Sequence, residues 1–483
     1  MKAALNAALA ASLIAFPLSS EGRPRMSRSG ILETVLENTE PLAHPRGSRM
    51  PLYLWGVMDL GAEDETEAES LIRRFDERGI AVVSTWHPNR QEESLAQAIR
   101  IGRIQQRLGL RVNVNANHVL HRFCNGDPQT AHVGADGEPF FDLSFSKSVK
   151  MGCPFALGFR YAEMRERVDF FARGYAESGV DVGFVFADWE IDGAIEWNGA
   201  WEASKRCTRC REHIPDIHDF SSFQTAIRKV RSQMQRTAYS EVMKSRFPKV
   251  LVGNYGVYPH NGYRYWYDYF EEFVEGAPFR ADGRARYREW AHEFDATGYT
   301  FAMPVVYTWY PTFGWYGFEN PDYRWFYNML MVASNAGEHT PVDVPIISFV
   351  HWHTTSPPKE PDPDVKQFSR ENYQELLWHM LLRGHDTLFL WCPRDEIAEE
   401  VRALHKVYAA SMAYNAFLSD GEPVTFEVPT QQGPVVSALR SGNRLLVRRT
   451  DFTDTKEPVA LEVYGKTVQI PRVEGACQII ELE

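Results

Sequence analysis

Eight short apolar runs punctuate the chain, at residues 51–57, 80–86, 110–115, 182–188, 250–255, 299–306, 344–351 and 387–391. Stretches with helical spacing of apolar positions lie among them, at 65–78, 92–108, 162–178, 220–246, 322–336, 370–383 and 395–413. Near-continuous apolar strands alternating with amphipathic helices predict a parallel sheet covered by helices on its outer side. Eight repeats predict an α/β fold of the (β/α)8 TIM-like barrel type over residues 51–417. Beyond residue 418 the rhythm changes to short runs at 424–428, 435–440, 445–449, 459–463, 467–470 and 477–482, separated by turn signals such as Ser441-Gly442-Asn443 and Tyr464-Gly465. That pattern predicts a small, sandwich-like antiparallel β domain over 418–483.

The strand ends carry the polar and aromatic residues. Trp55, Trp86-His87, Asn115, Asn117-His118, Asp188, Asn254-Tyr255, Tyr307, His351-Trp352-His353 and Trp391 all fall at the carboxyl end of an apolar run. A shared cleft above the strand ends explains that bias, because the βα loops form the adaptable face of a barrel. The least regular segments, 116–158, 193–218 and 307–321, follow the third, fourth and sixth strands and have the length of functional lids or walls.

Composition narrows the function classes. The formal charge of −12 gives no general footprint for nucleic acid, so a polyanionic ligand would need a local basic patch. Thirteen tryptophans, 21 tyrosines and 29 phenylalanines supply platforms suited to the apolar faces of sugar rings, as well as a large core. Residues 1–22, with Lys2 before a mostly apolar stretch, predict a secretory signal and a secreted or periplasmic location, leaving 23–50 as an extension; a start at Met26 stays open. No later run is long enough to cross a bilayer.

The sharpest chemical signal is Val182-Gly-Phe-Val-Phe-Ala-Asp-Trp-Glu-Ile-Asp192. Strand alternation places Asp188 and Glu190 on one face at the end of an apolar strand. Alternate strand residues are roughly 6.5–7 Å apart, near the ~6.5–9.5 Å range of inverting glycosidases, yet neighbours on one strand cannot straddle a sugar. The pair instead suits hydrolysis in which a substrate 2-acetamido oxygen is the nucleophile. Glu190 is then the acid/base, and Asp188 orients the amide and stabilises the intermediate. Two alternatives remain. Glu190 could act with a distant carboxylate such as Asp59, Asp142 or Glu319 on a neutral or sulfated glycan, or the chain could bind carbohydrate without catalysis.

Asp188-Trp189-Glu190 resembles the Asp-x-Glu strand of the hyaluronidases. Gly253-Asn254-Tyr255-Gly256-Val257-Tyr258-Pro259, Pro304-Val305-Val306-Tyr307 through Tyr310-Pro311, and Leu388-Phe389-Leu390-Trp391-Cys392 are similar to that family's later strand ends, in the same order over roughly residues 50 to 415. The resemblance implies a retaining, endo-acting hydrolase of a hexosamine-containing polysaccharide, hyaluronan- or chondroitin-like. It also implies that Tyr255 and Tyr307 or Tyr310 bond the acetamido group above Trp391, with no cofactor in catalysis. The arginine and second acid that follow the signature in animal hyaluronidases are replaced by Ile191-Asp192-Gly193, and the family's cysteine framework is not reproduced.

Further candidates for sugar contacts are Trp55, Asn115, His118, His351 and Trp352. His351 and His353 share a face at metal-ligand spacing but lack a convincing third ligand in the sequence. Cys207-Thr208-Arg209-Cys210 is half of a structural zinc motif, with Cys124 and Cys153 in a neighbouring loop; zinc, a disulfide and plain thiols all remain open. The basic run around it, including Arg206, would suit carboxylate or sulfate groups if it overhangs the cleft.

Overall fold

A computed structural model describes residues 28–482 apart from Met58, Glu63, 121–125, 190–194, 196–197, 262–291, 356–359 and 361. Glu190, Ile191, Asp192, Gly193 and Cys124 therefore lie outside the described residues. The chain divides into two compact units, one comprising Ser84–Thr300 and the other Met26–Val83 with Phe301–Glu483.

The first unit holds a parallel sheet in the order Ser84–Thr85, Val112–Asn115, Val182–Ala187, Leu251–Asn254. Past its last strand, the Thr300 amide donates to the Val252 carbonyl at 2.9 Å. Phe184, Val185 and Phe186 are all fully buried, so both faces of the central strand are covered, as its unbroken apolar run requires. The helix Gln91–Arg107 buries Leu95, Ala98, Ile101 and Ile104 in one stripe. Phe220–Gln235 starts at an Asp219 cap that accepts from the Ser222 amide at 2.7 Å. It runs through a π-helical turn, Arg236–Ser240, into Glu241–Arg246.

The second unit holds the other four parallel strands in the order Tyr53–Leu54, Thr387–Leu390, Ile347–Thr355, Val305–Trp309. A parallel bridge from Leu52 to Ile80 continues the sheet beyond Tyr53–Leu54. Every expected apolar run thus contributes to parallel pairing, four strands to each sheet.

The same unit carries an antiparallel sheet of Glu422–Pro423, Pro434–Ser441, Arg444–Asp451 and Gln478–Glu481, with the hairpin Val459–Val463/Lys466–Ile470. One face packs Ala438, Leu445 and Val447 on Leu461, Val463 and Ile470; Leu439 and Leu446 on the other pack on Leu382 and Phe417. A buried polar seam ties this sheet to the helix Arg370–Leu381 and the turn after it. Arg383 donates to Ser437 Oγ at 2.8 Å, Ser334 Oγ at 2.5 Å and the Glu427 carbonyl at 2.8 Å. His379 bridges Ser437 Oγ and Thr450 Oγ1 at 2.8 and 3.0 Å.

Three local departures from the sequence reading stand out. In place of a strand at 424–428, pairing falls on Glu422–Pro423, and only the Val424 amide continues it to the Ala438 carbonyl at 2.9 Å. The irregular segment after the third strand contains two small antiparallel hairpins, His132–Val133 with Pro139–Phe140 and Asp142–Ser146 with Val149–Met151. Part of the expected N-terminal extension is the helix Arg28–Glu37, which buries Ile31, Leu32, Val35 and Leu36.

Candidate active site

Asp188 is the first residue after the strand Val182–Ala187. It keeps part of its surface in solvent, while the protein packed around it pushes its carboxyl up to about 7 by desolvation. The peptide that follows is clamped. Trp189 N donates to Asn254 Oδ1 at 2.9 Å, and Asn254 Nδ2 donates to the Trp189 carbonyl at 3.0 Å. A buried chain holds Asn254 in turn: Asn254 Nδ2 reaches Gln235 Oε1 at 3.3 Å, Tyr299 Oη donates to the same oxygen at 2.8 Å, and Gln235 Nε2 donates to Glu293 at 2.7 Å. Glu293 is ion-paired with buried Arg231 at 3.1 Å. The backbone joining the two proposed acids is thus fixed by a network reaching into the helix Phe220–Gln235.

Tyr255 lies on the adjacent strand end, with its amide bonded to the Ala187 carbonyl at 2.9 Å and its ring buried. Asn115 is buried, and its Oδ1 accepts from the Asn117 amide at 2.9 Å, which shapes the turn after the third strand. His118 is exposed and stacks on His87 with ring centres 5.3 Å apart. Trp86 is buried and stacks on Phe171 at 4.8 Å. Arg206 is exposed over the Phe140 ring at 4.7 Å, whereas Arg209 donates to the Ala131 carbonyl at 3.1 Å. Asp142 is buried and occupied locally, accepting from the Ser144 amide and hydroxyl, both at 2.8 Å.

In the second unit, Tyr307, His351 and Trp391 come together at three neighbouring strand ends. Trp391 is 6.2 Å from Tyr307 and 5.2 Å from His351 between ring centres. Trp55 packs edge-on to Phe349 at 6.4 Å. Tyr310 is turned to Asp362, its hydroxyl 3.0 Å from Oδ2. Trp352 alternates to the other face, where its indole donates to the Phe368 carbonyl at 2.8 Å and stacks on Tyr373. Glu319 is exposed, and Asp59 adopts a left-handed backbone with φ 60°.

His351 and His353 meet two acids that sequence reasoning missed. Glu396 and Glu400 lie one helical turn apart near the start of the helix Ile397–Ser411. His351 Nε2 lies 2.9 Å from Glu396 Oε2 and 3.2 Å from Glu400 Oε1, and its Nδ1 lies 2.8 Å from Thr355 Oγ1. Glu400, fully buried, is 2.8 Å from His353 Nδ1 and accepts from the Trp352 and His353 amides. Burial disfavours the charge on His351, but the hydrogen bonds to Glu396 and Glu400 outweigh it and push the imidazole up to about 9. Burial likewise opposes ionised Glu400 and is outweighed by the two histidines, which hold it at about 2. The cluster is a satisfied ion-pair network around the base of the seventh strand's end. The four groups would also fit around a cation by distance, all within 4.8 Å, but their polar atoms already bond one another and the backbone.

No family model matches the chain, and no curated protein sequence matches it. Solved structures that resemble it include α-L-fucosidase isoenzyme 2 from Paenibacillus thiaminolyticus, at TM-score 0.43 and 14% identity over 76% of this chain and 50% of that one. A β-galactosidase from the Antarctic haloarchaeon Halorubrum lacusprofundi gives TM-score 0.44 and 12% identity over 76% and 58%. The catalytic domain of β-amylase from Paenibacillus polymyxa gives 0.41 and 10% over 75% and 99%. The chain thus spans 50% and 58% of the lengths of the first two. At these values the likeness assigns neither fold nor activity to this chain.

Proposed function

We propose that the chain is a retaining, substrate-assisted glycoside hydrolase that cleaves within a hexosamine-containing polysaccharide, hyaluronan- or chondroitin-like. The observation that supports it most is Asp188: a carboxyl raised to about 7 just past the carboxyl end of a buried parallel strand, on a backbone locked by Asn254.

A poorly solvated carboxylate gains most when positive charge develops beside it. That is the demand made when an acetamido oxygen attacks the anomeric carbon and the amide nitrogen becomes part of an oxazolinium ring. Asp188 accepts the amide N–H and stabilises that charge. Glu190 gives its proton to the leaving glycosidic oxygen as the C–O bond breaks. It then takes a proton from water, whose oxygen opens the ring with net retention and leaves Glu190 protonated again. Tyr255 supports the same acetamido group, and the exposed Arg206 guanidinium attracts a uronate or sulfate along the polymer. The protein's residues alone carry this chemistry, and the substrate supplies the nucleophile.

A thiazoline mimic of the bicyclic intermediate tests the reading. Inhibition far tighter than by the parent sugar is expected, because the mimic copies a species the site is built to hold. Glu190→Gln is expected to lower turnover by orders of magnitude with the fold intact. Full activity in that variant, or indifference to the thiazoline, rejects the mechanism.

A further inference from the structure

We propose that His132, Cys153, Cys207 and Cys210 form a closed structural zinc site that staples the loop after the third parallel strand to the loop after the fourth, which bears Asp188. This inference does not depend on the glycosidase reading.

All four residues are fully buried, and one ligand atom from each lies within 4.8 Å of the others. Cys153 Sγ is 3.6 Å from Cys210 Sγ and 3.8 Å from Cys207 Sγ. Sulfurs bound at ~2.3 Å to a tetrahedral zinc are separated by about 3.8 Å, the edge of the tetrahedron. A disulfide would bring two of them to ~2.05 Å and orphan the third. His132 Nδ1 faces the sulfurs, 4.0 Å from Cys210 Sγ, which supplies the fourth corner and completes a Cys3His set. Four protein ligands in a buried site leave no open position for water or substrate, so the ion's role is structural.

The local backbone converges on this point from three directions. Cys207 caps the short helix Thr208–His213, which returns Cys210 to the same side one turn later. The Cys153 amide donates to the Thr130 carbonyl at 2.6 Å, bringing the turn at 153 against the segment that carries His132. Gly152 permits that approach, since a Cβ there would sit 2.3 Å from the Thr130 carbonyl oxygen. Ring stacking of His132 on Phe140 at 5.0 Å, and of His213 on Phe155 at 4.5 Å, packs the outside of the cluster. Polar contacts also join the two loops directly: Thr208 Oγ1 donates to the Val133 carbonyl at 3.2 Å. Half of the motif, Cys207-x2-Cys210, is plain in the sequence; Cys153 and His132 join it only through folding.

The test is metal analysis of the full-length chain purified without added chelator. One zinc per chain is expected, with Cys210→Ser lowering that content at least tenfold and Cys477→Ser, on the C-terminal sheet, leaving it unchanged. Because Cys210→Ser could fold poorly, the wild-type chain is also loaded with cobalt after removal of bound metal. The intense visible absorption of tetrahedral cobalt with thiolate ligands is expected, and added zinc should bleach it. A wild-type chain that refolds with less than a tenth of an equivalent of zinc in zinc-containing buffer overturns the proposal. So does a disulfide between any two of the three cysteines in mass spectra of the native protein, or octahedral cobalt spectra without thiolate bands.

Discussion

Replacing Asp188 by asparagine is expected to stabilise the fold at neutral and alkaline pH while abolishing turnover. Desolvation lifts the Asp188 carboxyl from 3.8 to about 7, so the folded protein holds this proton more tightly than the unfolded chain. The stabilising contribution of that proton is fully present below the unfolded value and is lost as pH rises to about 7. The shift is about 3 units, and at ~1.4 kcal/mol per unit its full cost is about 4 kcal/mol. Asp188 retains some solvent contact, so that figure is a ceiling. Asparagine copies the shape of the protonated acid and carries no charge to desolvate. Urea unfolding of both proteins should therefore give similar stabilities near about pH 4 and a widening advantage for Asp188→Asn, up to about 4 kcal/mol, by about pH 8. A stability difference that stays constant across this range would refute the reasoning, because it would mean that the carboxyl titrates as it does in the unfolded chain.

Asn254→Ala removes both bonds to the Trp189 peptide and is expected to cost roughly 1–3 kcal/mol per buried group left unsatisfied. Steady-state kinetics should show kcat falling by more than KM changes, since the proposed acids lose their orientation. Glu400→Gln breaks a buried ion pair and should destabilise the fold by about 3–5 kcal/mol in denaturant titrations. In the wild type, the contribution of Glu400 is present above 4.5 and lost as pH falls to about 2, and that of His351 is present below 6.5 and lost as pH rises to about 9. The network is therefore strongest between 4.5 and 6.5, and an equal loss for Glu400→Gln at about pH 9 would contradict it. Arg383→Met leaves Ser334, Ser437 and the Glu427 carbonyl without their shared donor, at a cost of roughly 3 kcal/mol. Faster hydrogen exchange in the strand Pro434–Ser441 is the expected readout.

The parallel strands were legible because burial on both faces demands unbroken apolar runs, and Val182–Ala187 is the clearest case. The C-terminal sheet was legible through its turns, though not in every strand: Glu422–Pro423 pairs at a proline, which no strand propensity favours. The helix Arg28–Glu37 escaped notice because it is short and sits beside a stretch read as a leader, although Ile31, Leu32, Val35 and Leu36 have helical spacing. The candidate site divides in the same way. Asp188 and the aromatic candidates Tyr307, His351 and Trp391 are marked by their position at the ends of apolar runs, which is local. Glu396 and Glu400 are spaced i, i+4 at a helix start, an ordinary solvent-facing pattern until His351 and His353 are placed against it. Asn254 stands within a motif noted for its tyrosine, and its grip on Trp189 spans 65 residues of sequence. His132 lies 78 residues from Cys210, and no spacing rule links them.

The anomeric configuration of the first product, followed by NMR as the wild-type chain digests hyaluronan or chondroitin, tests the central claim most directly. The account predicts a newly formed N-acetylhexosamine end that appears first with the configuration of the bond cleaved and then mutarotates. A first product of inverted configuration, or an unsaturated uronate end absorbing in the ultraviolet, would contradict it.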